Sequence, residues 1–254
     1  MNAVVLSKRK VKFLIVVLSV FLVCCISLSL TGAHAVFYGK GLRKVPIYSV
    51  DTPDKKIAIS FDCAWGVDYT DTLLDVMQKE NVKCTFFMVE FWARKYPDYV
   101  KKISDMGHEI GTHSSTHPYM SKLTKSQVIN ELTSSSLAIT EITGKKVEVF
   151  RPPYGDYNNQ LLDVADELGL YTIQWSVDSL DWKNLSSAEI TSRVLKRIKK
   201  GSIVLFHNNG LHTAEALPTI IKSLKKDGYQ FVPIGELIYR DNYKISSDGT
   251  QSLT

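Results

Sequence analysis

His113 and His117, held in the run His-Ser-Ser-Thr-His, are the side chains in this sequence best suited to metal chemistry. Neutral imidazole is the commonest protein ligand for divalent transition metals. A spacing of four residues would aim both rings to one side of a single helical turn. The pair follows Gly107-His108-Glu109-Ile110-Gly111, which reads as a short strand entering a turn. Four other reactive clusters stand along the chain: Ser60-Phe61-Asp62-Cys63-Ala64-Trp65-Gly66, Phe150-Arg151-Pro152-Pro153-Tyr154-Gly155, Asp178-Ser179-Leu180-Asp181-Trp182 and Leu205-Phe206-His207. Each closes or follows a strand-like run. Between them they supply carboxylates, imidazoles and a guanidinium, the groups that move protons and stabilise developing charge.

The elements that must position these clusters alternate from Lys55 onward. Strands are predicted at 57–61, 85–89, 108–111, 147–150, 171–175, 202–206 and 229–232. Helices are predicted at 69–80, 93–106, 126–143 (opened by Thr124 as N-cap), 159–168 (closed by Gly169), 188–199 (closed by Gly201), 214–226 and 234–239. Strands alternating with helices of this length imply βα units and a parallel sheet. The fold class is therefore α/β: a small, distorted (β/α) barrel of about seven parallel strands, closed or incomplete. No glycine-rich phosphate fingerprint favours a nucleotide-binding sheet. In a parallel barrel function collects at the C-terminal strand edges, which is where all five clusters fall.

The net charge of +5 misleads, because Lys8, Arg9, Lys10 and Lys12 contribute +4 and no acid precedes Ala35. The remainder carries 5 − 4 = +1, so no electrostatic footprint for nucleic acid exists. Phe13 to Leu30 is uncharged and follows those basic residues, which reads as a membrane segment with its basic flank in the cytoplasm. Ala33-His34-Ala35 has the form of a signal-peptidase site. Two readings stand: an uncleaved signal-anchor, or secretion after cleavage near Ala35. Both put the body outside the cytoplasmic membrane. The division is leader 1–35, lead-in 36–54, catalytic-type domain 55–240 and a mobile polar tail 241–254. Cys63 and Cys84, the two cysteines of the body, fall at opposite ends of neighbouring strands, roughly 15 Å apart at ~3.3 Å per residue, too far for a disulfide.

In order and spacing, Phe-Asp-x, His-Ser-x-x-His, Arg-Pro-Pro-Tyr-Gly, Asp-Ser-x-Asp-Trp and Leu-x-His resemble the five motifs of the NodB-homology polysaccharide deacetylases, of carbohydrate esterase type. The resemblance covers about Lys55 to Tyr239. The Ser-Phe-Asp-Cys-Ala-Trp-Gly variant is most similar to the sporulation-associated PdaB-like branch. The resemblance implies metal-assisted hydrolysis of acetyl groups on a cell-wall glycan such as peptidoglycan, with a divalent metal, zinc first and cobalt or another second. It implies Asp62 as general base, His113 and His117 as metal ligands, Arg151 as partner of Asp62, and His207 as general acid. Asp178 or Asp181 would orient His207. Trp182 and Leu205 would seat the acetyl methyl, and Trp65 would stack on a sugar. Tyr154, or the backbone N–H that follows it, would help stabilise the oxyanion.

One position departs from the family pattern: Cys63 stands where a second aspartate normally binds the metal. A thiolate can replace it as zinc ligand, and a small buried residue is the competing reading. The departure keeps a second class of function open, a glycan-binding wall protein with weak or no turnover. An O-acetyl esterase acting on polysaccharide is a third. His108 and His212 are assigned to surface or capping roles, and Trp92 and Trp175 to the core.

Overall fold

The computed structural model describes residues 8–13, 15–22 and 43–254. Residues 8–13 and 15–22 are helical. Half of the predicted membrane segment (residue 14 and residues 23–30) and all of Ala33-His34-Ala35 lie outside the described residues. Among the described residues no helix is long and apolar enough to cross a membrane.

From Lys44 to Thr254 the chain forms one compact unit. Its strands are β1 (Ser49–Val50), β2 (Lys56–Cys63), β3 (Thr85–Met88), β4 (Glu109–Thr112), β5 (Val149–Phe150), β6 (Tyr171–Thr172), β7 (Val177–Asp178), β8 (Ile203–His207), β9 (Gln230–Phe231), β10 (Tyr243–Ile245) and β11 (Thr250–Leu253). Seven of them run parallel in the order β6-β5-β4-β3-β2-β8-β7. The period of two along a strand divides the core in two layers. Ile57, Ile59, Phe61 and Cys63 of β2 pack outward against helix residues such as Leu73, Leu74 and Met77. Ala58 packs inward with Phe87, Val149, Ile173 and Ile203, filling the barrel beneath its upper rim.

The arc is left open between β6 and β7, and the lead-in closes it. Ile47 bridges to Ile173, and Ser49 to Ser202. Gly201 makes this possible: a Cβ there would lie 1.6 Å from the Val50 carbonyl oxygen. Residues 44–50, expected as linker, are thus part of the barrel wall.

Three other expectations change. The helix expected at 93–106 is two helices, Glu90–Lys95 and Pro97–Asp105. They break at Tyr96 because Pro97 has no N–H and disfavours helical backbone at the residue before it. The seventh strand of the arc is β7, not the predicted 229–232, since β9 pairs only with Lys56 and Ile57 at the foot of β2. The tail is not mobile. β10 and β11 form an antiparallel pair, and β11 adds to β1. Gln251 is fully buried and joins the tail to the domain, its amide donating to the Tyr239 carbonyl (2.7 Å) and its carbonyl accepting the Tyr239 N–H (2.9 Å). Both body cysteines are free and buried.

Replacing Gln251 by alanine strands two backbone groups, each costing about 1–3 kcal/mol. A loss of about 2 kcal/mol in total would lower the melting temperature by about 4–8 °C for a domain of this size. Scanning calorimetry of Q251A checks this. An unchanged melting temperature would show the hairpin to be a loose appendage.

Candidate active site

The register of β2 against β8 pairs Asp62 with His207, so a carboxylate and an imidazole stand side by side at one level of the rim. Both line a cleft of about 470 Å³, together with Trp65, His113, His117, Tyr154, Trp175, Asp178, Trp182, Leu205, Asn208 and Asn209. Arg151 and Asp181 are fully buried behind it and reach it through other side chains.

Arg151 follows β5 and organises one wall. Its Nη1 donates to Asp62 Oδ1 (2.8 Å) and its Nη2 to the Gln174 carbonyl (3.1 Å). Its guanidinium lies 4.2 Å from the centre of the Phe87 ring. Gly111 leaves room for that ring, since a Cβ there would meet Phe87 at 2.7 Å. Burial alone would raise the Asp62 carboxyl. The charge of Arg151, then those of His113 and His207, outweigh it and hold Asp62 below its ordinary value. The Arg151 carbonyl also faces His113 Nδ1 at 2.7 Å. That contact places the His113 proton on Nδ1 and leaves Nε2 toward the cleft, 3.5 Å from Asp62 Oδ2.

His113 and His117 do not share a helical turn. They flank a loop in which Ser114 (φ 71°) and His117 (φ 60°) take left-handed backbone, and their ring centres are nevertheless 4.9 Å apart. The loop is held from outside. Glu131, on the buried face of the helix Lys125–Thr143, accepts the N–H groups of Ser115 and Thr116 (both 2.8 Å) and the Thr116 hydroxyl (2.7 Å). Glu90 accepts the Ser115 hydroxyl at 2.5 Å. Burial lowers both imidazoles, His117 to about 4, so both are neutral at pH 7. His117 Nδ1 is buried without a partner.

The opposite wall is built for the opposite charge state. Asp181 Oδ1 meets His207 Nδ1 at 2.8 Å, while Oδ2 accepts the His207 N–H (2.8 Å) and the Thr213 hydroxyl (2.7 Å). Burial would lower His207. The hydrogen bond and charge of Asp181, then the charges of Asp62 and Asp178, raise it instead. Asp178 lines the cleft, but its carboxylate accepts the Leu180 N–H (2.8 Å) and shapes the turn. Orientation of His207 therefore falls to Asp181.

Cys63 is the exception among the sequence-derived residues. It sits in the outer core layer with Phe61, Leu73 and Trp92, fully buried and absent from the cleft lining. Burial, then the Asp62 charge, pushes its thiol well up. Among the described residues no three histidine, cysteine, aspartate or glutamate side chains converge as a metal-binding group. The two imidazoles suit an ion, but the set does not fit a catalytic site with three protein ligands. Of the two oxyanion candidates, the Gly155 N–H is committed to the Pro152 carbonyl (3.1 Å), which leaves Tyr154. Tyr154 has left-handed backbone (φ 59°) and an exposed ring stacked on Tyr119 at 4.4 Å.

Trp175, assigned to the core from sequence, instead lines the cleft, and sequence reasoning passed over Asn208 and Asn209 in the lining and Glu90 and Glu131 behind the loop. Glu131 did carry a signal. It is a charged residue on the stripe Val128, Leu132, Ser135 and Ile139 that the helix buries, and a buried carboxylate needs donors to satisfy it.

A family model described as polysaccharide deacetylase matches residues 49–173. The peptidoglycan-N-acetylmuramic acid deacetylase PdaA of Bacillus subtilis is 35% identical over 204 residues, 79% of this chain and 78% of its own length. The peptidoglycan-N-acetylglucosamine deacetylase PgdA of Listeria monocytogenes is 39% identical over 194 residues, 76% of this chain. The chain spans only 41% of the length of PgdA and 62% of YlxY, an uncharacterized protein of Bacillus subtilis. Among solved structures, BA3943 of Bacillus anthracis, described as a CE4 family pseudoenzyme, superposes with a TM-score of 0.74 at 35% identity, over 76% of this chain and 68% of its own. A mutant of BA3943 is described as having restored enzymatic activity. PdaA, a family 4 carbohydrate esterase, superposes with a TM-score of 0.72 at 35% identity, over 76% of this chain and 84% of its own. The chain belongs to the polysaccharide deacetylase family.

The clamp on the histidine loop is testable. Glu131→Ala removes three hydrogen bonds from one buried carboxylate, and each tenfold change in opening corresponds to about 1.4 kcal/mol. Amide exchange at Ser115 and Thr116 should speed up by at least about tenfold. Exchange in β2 and β8 should change far less.

Proposed function

We propose that this member of the polysaccharide deacetylase family hydrolyses N-acetyl groups on amino sugars of a cell-wall glycan, namely peptidoglycan, the polymer for which its PdaA and PgdA relatives are named. The observation that carries the proposal is the pairing across one cleft of a carboxylate held below its ordinary value, Asp62, with an imidazole that Asp181 raises above its own, His207. Environments that push two titratable groups apart in this way assign base and acid.

In the proposed reaction a water lies between Asp62 and the acetyl carbonyl. Asp62 takes its proton as the new C–O bond forms, and the carbonyl oxygen gains negative charge. Collapse of the tetrahedral intermediate breaks the C–N bond, and the His207 imidazolium donates its proton to the leaving nitrogen. The products are acetate and a free amino sugar. Asp181 keeps His207 charged and fixed in orientation. Arg151 keeps Asp62 ionised. Trp65, Tyr154 and Trp182, all more than half exposed, offer faces on which sugars stack. A divalent ion, when bound, would polarise the carbonyl and acidify the water. The protein would act outside the cytoplasmic membrane, where its glycan lies, held by its N-terminal segment or released after cleavage. Placement in the sporulation-associated PdaB-like branch rests on the Ser60–Gly66 variant alone.

A second reading is favoured by one observation, the absence of Cys63 from the cleft. Without a third ligand the fold would serve as a glycan-binding wall protein of low turnover, as the similarity to a pseudoenzyme also suggests.

Acetate release from N-acetylated glycan, with O-acetylated glycan in parallel, separates the readings. Asp62→Asn should lower kcat by about 10²–10⁴-fold. Equal release by wild type and D62N would favour the binding protein. Release from the O-acetylated glycan alone would favour an esterase. Only protonated His207 can donate, so activity should fall as pH rises through its raised value. Asp181→Asn removes the largest raising influence, and the alkaline limb should move to lower pH. A limb that stays in place would remove His207 from the acid role.

A further inference from the structure

We propose that the cleft selects glycans that carry carboxylates, with Lys122 and Lys183 reading that charge on its two flanks. The proposal deepens the reading above and rests on it for the sugars; what it adds is the acidic substituent.

The two lysines occupy matching places on opposite walls. Lys122 ends the one-turn 3-10 helix Met120–Lys122, and Lys183 ends the one-turn 3-10 helix Asp181–Lys183. Tyr119 precedes the first turn and stacks on Tyr154 at 4.4 Å, and the Tyr154 ring meets that of His117 at 4.6 Å. Trp182 stands within the second turn, beside the Asp181 that binds His207. The Lys122 ammonium lies 4.6 Å from the centre of the Tyr119 ring, and that of Lys183 4.9 Å from the centre of the Trp182 ring. Tyr119, Tyr154 and Trp182 are all exposed, and the last two line the cleft. A sugar chain leaving the cleft over either wall therefore passes an aromatic face with an ammonium group above it.

Both turns are anchored from beneath. Met120 is fully buried, and the Asp156 carboxylate accepts the N–H and the hydroxyl of Ser121 (2.8 and 2.9 Å). The other turn hangs on buried Asp181, whose oxygens are held by His207 and Thr213. Among the described residues neither ammonium forms an ion pair, although both are exposed. Lys44, Lys102 and Lys125, by contrast, are paired with Asp163, Asp71 and Glu167. Two unpaired cations on rigid turns, each beside a surface on which a sugar stacks, complement an anion on the glycan. A carboxylate on the sugar itself and one on a peptide attached to it offer the same ion. Pairs this exposed are weak and screened by salt, each worth about 1.5- to 5-fold in affinity.

Tryptophan fluorescence of the full chain reads binding whether or not acetate is released. The titrants are a neutral N-acetylated oligosaccharide, peptidoglycan strands freed of peptide, and strands that keep their peptide stems. At least one acidic strand should bind about threefold or more tightly than the neutral one. Preference for the peptide-free strand puts the carboxylate on the sugar, and preference that requires the stems puts it on the peptide. Raising ionic strength from about 0.01 M to about 1 M should abolish the preference. Lys122→Glu combined with Lys183→Glu should abolish it at low salt, while Lys122→Arg combined with Lys183→Arg should keep it. Equal binding of neutral and acidic glycans, or a preference that survives salt or charge reversal, overturns the proposal. So does failure to bind all three. Salt-sensitive selection of acidic strands without acetate release would sink the deacetylase reading and leave this one standing.

Discussion

Everything at the rim depends on one buried ion pair, Arg151 with Asp62. Solvent does little to compensate it, for Arg151 is fully buried and Asp62 is only 7% exposed, at the cleft wall. Desolvating two charges costs several kcal/mol per ion, and breaking such a pair from one side leaves a stranded charge worth about 3–5 kcal/mol. The pair persists because each charge has further partners. Arg151 donates to the Gln174 carbonyl and lies over Phe87, and His207 across the strand pair also favours the ionised Asp62. The same arginine sets the His113 tautomer through its carbonyl. One residue therefore favours the ionised form of Asp62 and fixes the orientation of an imidazole.

The acid side solves the inverse problem. Asp181 is buried like Arg151, but it faces an imidazole rather than a carboxylate, so the charge it induces is positive. Its second oxygen is occupied by the His207 N–H and the Thr213 hydroxyl. Rotation of the carboxylate would break three hydrogen bonds together. Two buried residues of opposite sign thus push the titrations of two cleft residues in opposite directions, and parallel strand pairing places those two residues side by side. Burial, which alone would neutralise both, becomes the means of keeping each charge local and strong.

The histidine loop shows how a site can be legible while its geometry is not. His-Ser-Ser-Thr-His identified the ring pair, but the rings meet through left-handed backbone at Ser114 and His117 rather than through a helical turn. That conformation is unfavourable for residues with a Cβ, by about 1–3 kcal/mol each. It holds here because Glu131 and Glu90, distant in sequence, take up the loop's N–H and hydroxyl groups. Likewise the polar composition of residues 241–254 suggested a free tail, and nothing local revealed the partner strand β1 or the Tyr239 backbone that Gln251 binds.

Residue order alone determined the βα alternation, the N-cap at Thr124, and the presence of carboxylates, an imidazole pair, a further histidine and a guanidinium at strand ends. These follow from short-range physics: periodicity and capping. The tertiary structure alone decided that Asp181 rather than Asp178 orients His207, that β7 rather than β9 completes the arc, and that Cys63 turns away from the paired imidazoles. Each of those outcomes depends on strand register and on which face of a strand meets the helices. Such relations join residues far apart in the chain, and no local pattern of side chains encodes them.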